Sequence, residues 1–308
     1  MRRLSFVLAL AVCGFAACAP SPVGPAQPVA QELVGGPDGI DAASARATAL
    51  AFLSAYAHAP AGGLGALRAL VVGPDLRSWV RWLGVQNREF DGTIRGDVDL
   101  RSASFVAFLP IRKAIGARVD VGASVTFSYE PNDVEPFERT RILDGPITLL
   151  RTGTADWRIV DLTRDGVSMD AGITRFDGQT HHLAGVSVRL DSVFRFVPNW
   201  QFNVVVTNET SATIGLDPAT AALLVRDPGG LQTIETVPSR SLQTIPPGST
   251  VEALIAVPYQ DSAHGRALSL PFFGSDGRLR RFLFPLGGLI DALPSPAAGG
   301  GSAVPAPG

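Results

Sequence analysis

The sequence predicts an α+β domain, with helices first and a curved antiparallel sheet after them, followed by an all-β sandwich. Three observations carry that reading. Apolar residues recur at three- and four-residue spacing between residues 41 and 90. From about residue 103 the pattern changes to strict alternation in segments rich in Val, Ile, Phe and Thr. From residue 178 to 286 short alternating segments are separated by Pro, Gly, Asn and Asp clusters. The length of 308 residues allows one large domain or two ordinary ones, and with 46% hydrophobic and 18% charged residues the chain can bury a sizeable core. Its 26 basic and 28 acidic residues leave a net charge of −2, which argues against an electrostatic nucleic-acid binder, since such proteins normally carry a basic excess.

The elements follow in order. Met1-Arg2-Arg3 is a basic start, and Leu4 to Val12 is an apolar run broken only by Ser5. That run is too short to span a bilayer, which takes about 20 residues, and reads as the core of a secretory signal over residues 1–17. Phe15-Ala16-Ala17-Cys18 resembles the lipobox of bacterial lipoproteins, with Phe15 where that family usually has Leu. The resemblance implies cleavage between Ala17 and Cys18 and lipid attachment, including palmitate-type acyl chains, at Cys18. Two or three such chains anchor a protein stably, each buried methylene contributing about 0.8 kcal/mol. Cys13 is a poorer match because bulky Val12 precedes it. An ordinary secreted protein cut at Ala17-Cys18-Ala19 is the alternative, with Pro20 then following the cut. Both cysteines of the chain lie in these first 18 residues, so the body has no disulfide, thiolate metal site or cysteine nucleophile.

Residues 18–40 read as the lipidated cysteine and a flexible tether, rich in Pro, Gly and small residues. In polyproline II form it would reach roughly 70 Å, and as a coil about 25 Å. The α+β domain spans residues 41–172. Asp41 is placed to cap a first helix carrying Ala45, Ala49, Phe52, Leu53 and Tyr56; Gly62-Gly63 breaks the chain, and further helices follow near 64–71 and 75–90. Strands are expected near 103–112, 117–129, 138–151 and 156–162. The Ala49 to Ala57 helix and the closing Asp156-Trp157-Arg158-Ile159-Val160-Asp161-Leu162 strand look like the cone-shaped ketosteroid-isomerase-like, or nuclear-transport-factor-like, fold. Pro146 to Arg151, Trp157-Arg158-Ile159 and Gly166 to Asp170 are similar to the amino-terminal module of some actinobacterial envelope lipoproteins, relatives of which are associated with sensor kinases. Residues 178–286 form the sandwich, which resembles the immunoglobulin-like domains of bacterial surface lipoproteins without the Cys-Trp-Cys core of antibody domains. Residues 287–308 read as a disordered Pro/Gly/Ala tail.

Few residues point to chemistry. The cone scaffold offers a pocket, and enzymes built on it move protons with carboxylates in apolar surroundings, sometimes with a tyrosine. The possible polar lining here is Asp97 and Asp99, two apart on a loop before a strand, and Arg139 and Arg141, which could share a face; Tyr56 and Tyr129 are that domain's tyrosines. His181 and His182 are adjacent, so in a strand their rings diverge and cannot converge on zinc. No nucleophile elbow, phosphate loop, metalloprotease helix or dinucleotide fingerprint appears. Asn208-Glu209-Thr210 matches a glycosylation acceptor but reads as a turn, and Arg278, Arg280 and Arg281 read as a solvated strand edge, with contact to anionic lipid headgroups or a wall polymer as the alternative. Of the 26 basic residues only Lys113 is lysine, a bias that fits a GC-rich genome and supports no site by itself.

These readings lead to a non-enzymatic, lipid-anchored envelope protein on the outer side of the cytoplasmic membrane or elsewhere in the cell envelope. It would bind or position an envelope component or a partner protein, such as a membrane sensor or transporter. No catalytic residue, metal, cofactor or nucleic-acid partner is expected. Two alternatives stay open: a small-molecule carrier or enzyme using the cone pocket, and a structural spacer.

Overall fold

A computed structural model describes residues 37–111, 114–153, 156–176, 178–196, 199–227, 229–258, 264–274 and 276–286. The expected signal, Ala17 and Cys18, most of the tether and the tail from 287 lie outside the described residues. The first helix, α1 (Pro37–His58), starts inside the segment read as tether. Proline suits a helix's first turn, where its missing N–H would have no intrahelical partner. Asp41 is therefore not a cap: it lies within α1, and its Oδ2 accepts from Arg151 Nη1 at 3.0 Å. Ala45, Ala49, Phe52, Leu53 and Tyr56 are all buried, as their spacing predicts. A single π-helical turn, Ala59–Gly63, follows, with Gly62 at a φ of 103° that side-chain-bearing residues avoid. Helices α2 (Leu64–Leu70) and α3 (Pro74–Glu89) complete the helical part.

Five strands come next: β1 (Gly92–Ile111), β2 (Ala114–Pro131), β3 (Phe137–Arg151), β4 (Trp157–Arg164) and β5 (Val167–Ser168). They form one sheet in the order β1-β2-β3-β4-β5, every neighbouring pair antiparallel. Strand β1 begins at Gly92, well before residue 103, and absorbs the expected loop; bulges at Leu100/Ser102 and Phe105/Ala107 interrupt its register. Alternation in β2 buries Ala117, Val119, Val121, Ala123, Val125 and Phe127. This face packs with Phe52, Leu53 and Tyr56 of α1 and Trp79 of α3 into the first hydrophobic core.

The short helix α4 (Met169–Gly172) leads into the second β region. One sheet contains β6 (Ile173–Arg175), β7 (Thr180–Leu183), β8 (Val186–Phe196), β9 (Asn199–Asn208), β13 (Val237–Pro238) and β14 (Thr250–Pro258), in the order β13-β14-β9-β8-β6 with β7 also on β8. The other sheet contains β10 (Gly215–Leu216), β11 (Ala222–Asp227), β12 (Gly230–Glu235), β15 (His264–Phe273) and β16 (Leu279–Pro285). The pairing of β6 with β8 starts this region at Ile173 rather than 178. A second core takes Val188, Leu190, Trp200 and Phe202 from the first sheet, and Leu223, Leu268, Phe272 and Phe284 from the second. Helices followed by antiparallel sheets, two of them stacked on a shared core, is the α+β-then-sandwich order that the changing periodicity predicts.

One irregularity couples the two cores. A bulge between Leu190 and Ser192 shifts the parity of β8. Val188, Leu190 and Val193 belong to the sandwich core, whereas Phe194 and Phe196 join the first core together with Leu254 of β14.

Candidate site at the seam

The predicted polar residues do not form one site. Within β1, Asp97 lies opposite Thr126 and Asp99 opposite Ser124, so both acids point to the face away from the helices and are exposed. Arg139 and Arg141 lie opposite Phe127 and Val125, both buried, which puts the two arginines on the helix-covered face. Strand parity separates the acids from the arginines by the thickness of the sheet. The acid pair is therefore a solvated strand face, and the arginine pair belongs to an interior site.

That site also contains Arg164, only 3% exposed at the end of β4. Its Nε donates to Asp165 Oδ2 at 3.3 Å, and its guanidinium lies 4.9 Å above the Phe196 ring. Its Nη1 is buried without a hydrogen-bond partner. Arg141 Nη1 stands 3.6 Å from the same Asp165 oxygen, their side chains 18% and 29% exposed. Asp165 holds a left-handed φ of 51°, fixed because Oδ1 accepts the Ile142 N–H at 3.0 Å while its own N–H donates to Ile142 O at 2.8 Å. Burial pushes the Tyr56 phenol pKa up against the opposing pull of Arg164 and Arg141, so Tyr56 is a neutral hydroxyl here. Burial, and then repulsion from Arg164, lowers the pKa of Arg141, although a guanidinium remains charged at neutral pH.

Two cavities of about 20 Å³ each flank the Arg141–Arg164 pair. The first is closed by Phe194, Phe196, Asn199 and Gln201 of the sandwich sheet, with Arg139 on its wall. The second is lined by Tyr56, Phe127 and Tyr129. Trp82 and Gln86 of α3 border both, and no carboxylate lines either. A cavity of this size holds about one water molecule.

Helix α3 forms the seam. Trp82 stacks on Phe194 with centroids 5.1 Å apart, and its Nε1 donates to Gln201 Oε1 at 2.7 Å. Arg81 pairs with Asp191 at 3.3 Å and with Glu252, which also accepts from Asn203 Nδ2 at 3.0 Å and lies 3.7 Å from Arg88. Ser78 Oγ donates to Ser192 Oγ at 3.1 Å. Beside this seam an open cleft of about 440 Å³ is lined by Arg77, Arg81, Arg175 and Arg189 with Asp191. Its arginines are largely occupied, Arg175 with Asp75 and Arg189 with Asp191.

Sequence reading missed Arg164, and its signal was misleading. Trp157 and Ile159 point inward, and simple alternation would then put residue 164 outside. A register shift opposite Thr148/Leu149 resets the parity, so Leu162 and Arg164 turn inward instead. Asn208 is fully buried, its Nδ2 donating to Ala212 O at 2.8 Å and Ile245 O at 3.0 Å, so the Asn208-Glu209-Thr210 segment is a structural turn. Arg280 is paired with Asp276 at 2.8 Å. The His181 ring packs edge-on against Phe284. Among the described residues there is no group of three or more His, Cys, Asp or Glu suited to a metal, and no helix is long and apolar enough to cross a membrane. Comparison with protein-family models, with curated proteins and with solved structures returns no match.

Proposed function

We propose that this chain is a lipid-anchored envelope protein that binds or positions a partner without catalysing a reaction. In this reading the helix-covered sheet is a ketosteroid-isomerase-like cone and the second region an immunoglobulin-like sandwich, and Cys18 carries the lipid. The observation that carries the non-catalytic part is the filling of the cone's interior. Around Arg141 and Arg164, deep in that interior, Phe194 and Phe196 arrive from the neighbouring sheet and leave only water-sized space, far below the roughly 300 Å³ that a small-molecule site needs. The adjoining cleft of about 430 Å³, bordered by Phe90, Tyr129, Phe137 and Arg139, is open to solvent and suits a partner's side chains better than an enclosed substrate. The Asp97–Asp99 pair, the best acid-base candidate, stands on the opposite face. Support for the anchor is the Ala16-Ala17-Cys18 motif at the end of an apolar run.

The test is expression in a lipoprotein-processing bacterium with a clickable palmitate analogue, in wild-type and Cys18→Ala forms, followed by in-cell crosslinking of the wild type. The expected result is label and membrane association that both vanish in Cys18→Ala, and a reproducible crosslinked partner. Label surviving in Cys18→Ala overturns the anchor, and a correctly anchored protein without any reproducible partner overturns the binding role.

A further inference from the structure

We propose that Arg141 and Arg164 hold a small inorganic anion of halide size at the seam between the helix-covered sheet and the sandwich. Three features converge on this. The first is charge. Arg141 and Arg164 line both seam cavities, Arg139 lines the first, and no carboxylate lines either of them. Asp165 bonds to Arg164 and pairs with Arg141, so a single carboxylate is shared between these two guanidiniums. Leaving net positive charge in a desolvated place is costly, and a bound anion removes that cost.

The second feature is an unused donor. Arg164 is 3% exposed, yet its Nη1 has no hydrogen-bond partner. A buried N–H of a charged group left unpaired costs more than an ordinary lost hydrogen bond. The other polar groups on the wall of the first cavity are amides. Because an indole N–H can only donate, the atom of Gln201 that accepts from Trp82 must be its carbonyl oxygen, which leaves the Gln201 amide N–H₂ as a donor. Gln86 and Asn199 border the same space. Guanidinium and amide donors around a carboxylate-free cavity make an anion site.

The third feature is size. About 20 Å³ accommodates one water-sized particle and excludes an organic carboxylate or a phosphate ester. Water would fill the space but leave the charge. Chloride fills it and offsets the charge. Since the walls come from α3, β3, β4, β8 and β9, bound chloride would tie the two cores together. The proposal does not depend on the envelope role.

The test uses the full-length protein as its host processes it. Thermal unfolding is followed in sodium chloride, sodium bromide and sodium gluconate at equal ionic strength, because gluconate is too large for the cavity. Chloride and bromide are expected to raise Tm saturably by about 2–4 °C over gluconate. Arg164→Met should lose that increment. Gln201→Glu keeps an acceptor for Trp82 and supplies an internal negative charge, so it should fold normally and be insensitive to chloride. It decides the matter if Arg164→Met does not fold. Crystals grown in bromide should give an anomalous peak between Arg141 and Arg164. Coinciding chloride and gluconate curves, an increment that persists in Gln201→Glu, or a bromide peak only elsewhere (an adventitious ion only) would each overturn the proposal.

Discussion

Asp170 shows what crowding does to a single carboxyl. It lies in the first turn of α4, and its pKa is raised to about 6 by partial removal from water and then by the nearby Asp161 and Asp75. The residue as a whole is still exposed, and its N–H donates to Asp161 Oδ1 at 3.2 Å. The sign follows from linkage. With a folded-state pKa above the unfolded one, stability is full below pH 4 and is lost as pH rises to about 6, where the folded chain is forced to release its proton. Asp170→Asn should therefore gain up to about 1 kcal/mol over wild type at pH 7.5, a modest figure because solvent screens an exposed group, and much less at pH 4. Urea unfolding at the two pH values checks this, and an equal gain at both would show that ionisation is not the cause. At this scale the sequence is legible where parity holds and misleading where it slips. The turn at Asn208 was readable. Asp97 and Asp99 looked like a loop because charged residues at every second position mimic solvated coil, although they also suit one face of a long edge strand. Arg164 was hidden by one extra residue in β4, which no propensity reveals.

Among the elements, α3 does the most joining, because it serves two partners at once. Leu76, Trp79 and Val80 are buried in the first core, while Ser78, Arg81 and Trp82 meet the sandwich sheet. Its apolar stripe was plain from Trp79, Val80 and Leu83. Nothing in the heptad-like spacing distinguishes a tryptophan facing its own domain from one facing the next. The same holds for β8, where the Leu190/Ser192 bulge turns Phe194 and Phe196 away from the sandwich. Gly172 matters for the same contact, since a Cβ there would overlap the Phe196 ring. Trp82→Ala should cost about 3–5 kcal/mol, the usual loss for a buried aromatic truncated to alanine. Trp82→Phe keeps a ring against Phe194 but leaves Gln201 Oε1 unpaired, and should cost about 1–3 kcal/mol. Chemical denaturation of both variants separates the stack from the hydrogen bond. Equal losses would mean that the ring contact contributes little.

At the scale of the whole molecule, the change of periodicity separates a helical part from antiparallel strands and says nothing of how their cores meet. The structure gives two cores that share side chains: Phe194, Phe196 and Leu254 come from sandwich strands and complete the first core. Around them Glu252 collects Arg81, Arg88 and Asn203. Burying apolar side chains across a boundary makes the unfolding of either side expose surface on the other, so the two regions should unfold as one cooperative unit. The four tryptophans are well placed to report on this, with Trp79 and Trp157 in the first core, Trp200 in the second and Trp82 at the seam. In protein labelled with 5-fluorotryptophan, the four native fluorine resonances, assigned by single Trp→Phe changes, should fade with one common urea midpoint. Glu252→Ala removes the shared partner of the solvated Arg81 and Arg88 and leaves the fully buried Asn203 amide unpaired, so it should lower the midpoint of all four together by the equivalent of about 1–3 kcal/mol. A Trp200 resonance that persists after Trp79 and Trp157 have gone would show two independently stable domains, and a Glu252→Ala shift confined to Trp82 would show a seam that contributes only locally.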